Sequence, residues 1–168
     1  MKSFAPLLIL IALTGCGLRP LYGGGEGGAV VQSLRAVELA PIDGKAGWLM
    51  RQALTDRLRR DTNVPTRFRL EIELDDKISG FGVRIDDTVT RERRTLRARY
   101  QLIDTATATP VLDATAGSDA GIDVVSSEYA TVAAENTALE RLSQIIADQI
   151  VARISLFIDN QAKPPTGE

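Results

Sequence analysis

Arg67-Phe68-Arg69-Leu70-Glu71-Ile72-Glu73-Leu74 alternates charged and apolar residues without a fault, and Thr95-Leu96-Arg97-Ala98-Arg99-Tyr100-Gln101-Leu102 repeats the pattern. A period of two puts Phe68, Leu70, Ile72 and Leu74 on one face of a strand, and Leu96, Ala98, Tyr100 and Leu102 on one face of another. Each strand then has a buried face and a wet face, the mark of an antiparallel sheet covered on one side. Laid antiparallel, they set Phe68 opposite Leu102, Leu70 opposite Tyr100, Ile72 opposite Ala98 and Leu74 opposite Leu96. The same register sets Glu71 opposite Arg99 and Glu73 opposite Arg97. A slip of one residue would press apolar faces against charged ones, so the pattern specifies the pairing.

Outward from this hairpin, residues 30–39 read as a first strand with apolar residues on both parities. Pro41, Asp43 and Gly44 mark a turn. Residues 45–60 read as a helix, because Ala46, Leu49, Met50, Ala53, Leu54 and Leu58 recur at helical spacing, with Asp43 as the cap. Trp48 lies beside that stripe, suited to core or edge packing or to anchoring a partner. After the second long strand (residues 88–103), residues 111–116 give a third antiparallel strand. Gly117-Ser118-Asp119-Ala120-Gly121 breaks it, and residues 122–125 extend it after a bulge. Ser126 and Ser127 offer a cap to a long helix over residues 128–158. Its apolar stripe reads Tyr129, Val132, Ala133, Leu139, Leu142, Ile146, Ile150, Ile154 and Phe157. The order β-α-β-β-β-α implies an α+β fold, with two helices packed on one face of a small mixed or antiparallel sheet.

Composition excludes several chemistries. The chain of 168 residues has no histidine and one cysteine, with 25% charged residues and a net charge of -2. A Ser-His-Asp triad, a His/Cys zinc site and an internal disulfide are ruled out, and no cofactor or metal is expected. The acidic balance argues against nucleic acid as a partner. Asp75-Asp76 and Asp86-Asp87 do not form an acid/base pair on a strand, because neighbours point to opposite faces.

The N-terminus reads as an export signal. Lys2 precedes an apolar run from Phe4 to Leu13, too short to span a bilayer as a helix. Leu13-Thr14-Gly15-Cys16 resembles the lipobox of bacterial lipoproteins, in which the cysteine is lipidated and becomes the first mature residue. The sole cysteine stands there. Gly17 after it favours the outer membrane by the same resemblance. Residues 1–15 are then a signal peptide, 16–29 a lipidated tether made flexible by Gly23-Gly24-Gly25-Glu26-Gly27-Gly28, 30–159 the domain and 160–168 a disordered tail containing Pro164-Pro165.

The segment Cys16-Gly17-Leu18-Arg19-Pro20-Leu21-Tyr22-Gly23 resembles the start of the alphaproteobacterial LptE family of lipopolysaccharide-assembly lipoproteins. Ser127-Glu128-Tyr129-Ala130, with Ala133-Ala134-Glu135 and a long helix ending near Phe157, is similar to that family's last helix. The resemblance implies a non-catalytic outer-membrane lipoprotein on the periplasmic side. It implies that the protein plugs the β-barrel LptD, helps assemble it and assists insertion of lipopolysaccharide into the outer leaflet. Binding of the glycolipid is a further implication. An auxiliary or substrate-binding lipoprotein of another envelope lipid-transport or secretion complex, and a periplasmic hydrolase, are the alternatives.

Candidate contacts cluster at the hairpin tip, expected near Arg84. There the apolar parity changes: Phe81, Val83, Ile85 and Val89 are odd-numbered, whereas the core residues of both strands are even. Arg84, Arg91, Arg93 and Arg94 lie beside them. Guanidinium forks with flanking apolar surface suit a phosphorylated glycolipid or a barrel wall. The competing reading has a bulge that restores parity and arginines that pair with Asp75, Asp76, Asp86 and Asp87. Arg97 and Arg99 are expected to be balanced by Glu71 and Glu73. Arg19, Pro20 and Tyr22 are expected to face the barrel partner, or else to form an ordered edge strand.

Overall fold

The computed structural model describes residues 28–83 and 89–162, with the backbone alone at residues 82, 83, 89 and 90. Its elements are α1 (Ala29–Arg35), β1 (Val37–Leu39), α2 (Gly44–Leu58), β2 (Phe68–Val83), β3 (Val89–Asp104), β4 (Thr109–Asp123) and α3 (Glu128–Ala162). The sheet order is β1-β2-β3-β4, parallel between β1 and β2 and antiparallel elsewhere. This is the α+β class that the alternation implies, with one helix more than expected.

The extra helix replaces most of the expected first strand. Val30 and Leu34 stand four residues apart and are the buried residues of α1. A short apolar run fits a helix as well as a strand, so periodicity does not separate them. Only Val37–Leu39 remains extended, paired in parallel with Phe68–Leu70. Asp43 occupies the cap position of α2 without a side-chain cap bond, and Gly44, at φ +78°, turns the chain into the helix. Trp48 is 62% exposed and so is not part of the core.

The β2–β3 register is displaced by two residues from the expected one. Leu70 lies opposite Leu102, Ile72 opposite Tyr100, Leu74 opposite Ala98 and Glu73 opposite Arg99. A two-residue shift returns every side chain to its own face, so the hydrophobic pattern excludes odd slips but not this one. The hydrophobic pattern alone does not choose between the two registers, and residues 84–88, which join the strands, lie outside the described residues.

β4 does not break at its glycines. It runs unbroken through Gly117 and Gly121, opposite Arg97 and Arg93. A Cβ on Gly117 would lie 3.1 Å from Arg97 Nη1, so the missing side chain is what lets the arginine lie across the strand. The irregularity falls instead between Leu102 and Ile103, opposite the segment that begins with Pro110. Proline has no N–H to give the ladder. Gln149 covers part of the free edge of β4, its Oε1 accepting the Gly117 N–H at 3.2 Å.

α3 has 35 residues, roughly 50 Å at 1.5 Å each. Ser127 serves as its cap, accepting the Ala130 N–H. From Leu139 the buried stripe agrees with the sequence reading through Leu142, Ile146, Ile150 and Ile154. Before Leu139 it does not: Tyr129 is 85% and Val132 46% exposed, and Thr131 is the residue turned inward. The helix also continues through Asn160 to Ala162, residues assigned to the tail by sequence.

The two long helices are parallel. Lys45 donates to Asn136 at 2.5 Å and Arg57 to Asp148 at 2.6 Å, each pair 91 residues apart. That constant offset lays α2 beside the middle of α3. Both rest on the even-numbered face of β2 and β3, where Phe68, Leu70, Leu96, Ala98, Tyr100 and Leu102 close the core. The first two turns of α3 reach past α2 and lie over the far end of the hairpin.

Candidate functional site

The face away from the helices is a charge lattice. β3 presents Arg91, Arg93, Arg97 and Arg99 there because all four share one parity. β4 presents Asp113, Asp119 and Asp123 on the same face. Arg91 reaches Asp123 at 3.0 Å, Arg99 reaches Asp113 at 3.0 Å, and Arg93 stands 3.9 Å from Asp119. Hydrogen bonds from Arg99 and Gln101 hold the Asp113 carboxyl below its ordinary pKa. Arg91, Arg93 and Arg99 were expected to find their acids on β2 or in the hairpin. They find them on β4. The aspartates at 113, 119 and 123 share the arginines' parity; the expected break at residues 117–121 hides Asp119, while Asp113 and Asp123 lie on expected strand segments whose register against β3 the sequence leaves unassigned.

At the far end of the hairpin the parity change is real and unrepaired. Pairing runs without a bulge from Phe68 with Asp104 to Phe81 with Arg91. Phe81, 38% exposed, therefore lies on the open face, with the Arg93 guanidinium 5.3 Å from its ring centroid. The side chains of Arg91 and Arg93 are 64% and 56% exposed, so their pairs with aspartate are weak and exchangeable. Phe81, Arg91 and Arg93 form one patch.

Arg94 is on the other face and has a different task. Its side chain is 11% exposed and holds Asp76 through two bonds, Nε to Oδ1 at 2.8 Å and Nη2 to Oδ2 at 2.6 Å. Nη1 donates to the Glu135 carbonyl oxygen at 2.8 Å. The Asp76 hydrogen bonds raise the Arg94 pKa and burial opposes them. Every side of this guanidinium is engaged in tying the hairpin to α3. Asp75, the other acid expected beside the arginines, is held by Lys77 at 2.8 Å. Arg69 takes Glu71, the acid expected to balance β3.

Arg84, Ile85, Asp86 and Asp87 fall outside the described residues, as do Cys16, Arg19, Pro20 and Tyr22. Val83 pairs with Val89 through its backbone. A shallow depression of about 270 Å³ on the open face is lined by Glu71, Ile72, Glu73, Arg99 and Gln101. Among the described residues no three His, Cys, Asp or Glu side chains are placed to hold a metal ion, and no helix is long and apolar enough to cross a membrane.

The profile of the LptE family, described as lipopolysaccharide-assembly, matches residues 34–154. The chain belongs to the LptE family. Solved structures repeat this LptE fold. A candidate lipoprotein from Caulobacter crescentus superposes with a TM-score of 0.67 at 23% identity, covering 82% of this chain and 99% of that one. Lipoprotein B from Nitrosomonas europaea gives 0.57 at 14% identity, over 73% and 83%. The rare lipoprotein B from Shewanella oneidensis gives 0.52 at 12% identity, over 76% and 97%. A search of curated proteins finds no match.

Proposed function

We propose that this LptE-family chain is a non-catalytic outer-membrane lipoprotein, lipidated at Cys16, that plugs the β-barrel LptD. In this role it helps the barrel assemble and assists passage of lipopolysaccharide to the outer leaflet. Family membership supplies the lipopolysaccharide-assembly setting. The patch of Phe81, Arg91 and Arg93 supports the contact. It combines an exposed ring with two guanidinium groups whose aspartate partners are solvent-accessible.

A phosphorylated glycolipid can displace exposed carboxylates from arginine at little cost, because such surface pairs contribute about 0–1 kcal/mol. Arginine forks bind phosphate oxygens bidentately. Acyl chains or a barrel wall cover the ring. Arg84, Val83 and Ile85, neighbours of Phe81 in sequence, are proposed to take part in the same contact. Arg94 supports it from behind by holding β2 and β3 to α3.

Substituting Arg91→Glu with Arg93→Glu tests the ligand half of this reading. Retention of glycolipid by the purified chain is expected to fall while the fold persists. Unchanged retention removes the ligand role and leaves a barrel contact only.

A further inference from the structure

β4 is an edge strand whose outward backbone is only partly used. Gln149 turns its side-chain amide to Gly117, accepting the N–H at 3.2 Å and donating to the carbonyl oxygen at 3.5 Å. Gly117 therefore points both backbone groups away from β3. That direction alternates along an antiparallel ladder, so the odd-numbered residues of this stretch face outward and the even-numbered ones bond to β3. At the other end, the Val125 N–H is donated to Thr131 Oγ1 at 3.4 Å. Between these two stops lie Asp119, Gly121 and Asp123, whose outward N–H and C=O groups find no partner among the described residues. An open edge of this kind is a template for one more strand.

The side chains along this window describe the strand that fits it. Asp119 and Asp123 flank Gly121 on the open face. Both carboxylates are mostly exposed, so each has room for a second cation besides Arg93 and Arg91. A Cβ on Gly121 would meet nothing within 4 Å, which leaves an empty place between the two acids. A large flat side chain on a neighbouring strand fills the place above an edge glycine. A second copy suits the edge poorly. The antiparallel register that pairs residues 119–123 with themselves sets Asp119 opposite Asp123 twice, and like charges directly opposite are destabilising.

We propose that residues 119–123 of β4 accept an extended segment of a partner protein, in which two cationic side chains flank an aromatic one at alternate positions. Backbone hydrogen bonds to the open edge hold the segment, and the alternate side chains select it. Gln149 stops it from running on past Gly117. The window adjoins the Phe81 patch but uses other groups, and it depends neither on lipidation at Cys16 nor on the plug reading.

The experiment uses the full isotope-labelled chain in detergent and the end-blocked peptide Thr-Lys-Thr-Trp-Thr-Lys-Thr, with amide exchange followed by NMR. The N–H groups of Asp119, Gly121 and Asp123 are expected to exchange fast in the dilute free chain and about tenfold more slowly with excess peptide, while those of Ala120 and Ile122 are slow in both. The same peptide N-methylated at its lysines and tryptophan is expected to give no protection. Gly121→Pro removes one outward N–H without touching the β3 ladder, and is expected to weaken peptide binding about tenfold. Should that variant fail to fold, Asp119→Asn with Asp123→Asn, both surface changes, is expected to weaken it in the same direction. Absence of protection would overturn the proposal, as would protection that the N-methylated peptide gives equally or that the variants leave unchanged. Slow exchange of the three amides in the free chain, whether dilute or only on concentration as a second copy pairs, would overturn it too. Barrel capture is scored separately, so failure of this window and failure of the plug reading remain distinguishable.

Discussion

Arg94 grips Asp76 through two hydrogen bonds, 2.8 and 2.6 Å long, and spends its remaining reach on a helix carbonyl. β2, β3 and α3 meet at this one guanidinium. Removing the mostly buried Arg94 leaves Asp76 and the Glu135 carbonyl without their donor. Because the Asp76 left behind is open to water, Arg94→Ala is expected to destabilise the fold by about 1–3 kcal/mol in urea unfolding. Replacing both partners, Arg94→Met with Asp76→Leu, is expected to recover most of the loss. A single variant that unfolds like the parent would show that the grip is dispensable.

The open-face arginines behave oppositely. Arg91→Glu with Arg93→Glu breaks only exposed pairs, so the unfolding free energy is expected to change by less than about 1 kcal/mol for each. Any loss of glycolipid retention then belongs to the patch and not to the fold. A destabilisation as large as that of Arg94→Ala would contradict this separation.

Acid is expected to weaken the fold in a defined window. Hydrogen bonds from Arg57 hold the Asp148 carboxyl low, those from Arg99 and Gln101 hold Asp113 low, and those from Asn63 hold Asp61 low. A depressed carboxylate stabilises the folded state above its unfolded pKa, near 3.9, and that contribution fades as pH falls through the folded value. Stability is therefore expected to be flat near neutrality and to drop below about pH 4. Asp148→Asn should reduce the slope there, measured by unfolding at a series of pH values.

Gly47 is irreplaceable for a steric reason. A Cβ there would meet the Ile42 carbonyl oxygen at 2.5 Å, and backbone cannot step aside. Gly47→Ala is expected to cost about 1–3 kcal/mol by overpacking. Gly121, with nothing within 4 Å of its added Cβ, serves as the control, and Gly121→Ala is expected to be close to neutral.

The sequence made the sheet legible because alternation in residues 67–74 and 95–102 leaves no choice of face. α2 and the second half of α3 were legible for the same reason at helical period. What the pattern could not carry was register in steps of two, because a shift from Leu70 opposite Tyr100 to Leu70 opposite Leu102 buries the same atoms. The short α1 was illegible because Val30 and Leu34 fit both periods. In the candidate site, the outward turn of Phe81 followed from its odd number alone. The acids facing Arg91, Arg93 and Arg99 did not, since the glycines at 117 and 121 read as a break in a strand that in fact runs through them, with Arg97 lying against Gly117.

The plug reading is tested most directly by affinity purification through the C-terminal tail after detergent extraction, with the partner identified and the mass of the N-terminal peptide measured. The expected result is a one-to-one complex with a large outer-membrane β-barrel and an acylated Cys16. Recovery of the chain unacylated, or bound to an inner-membrane or soluble periplasmic partner with no barrel, would contradict it.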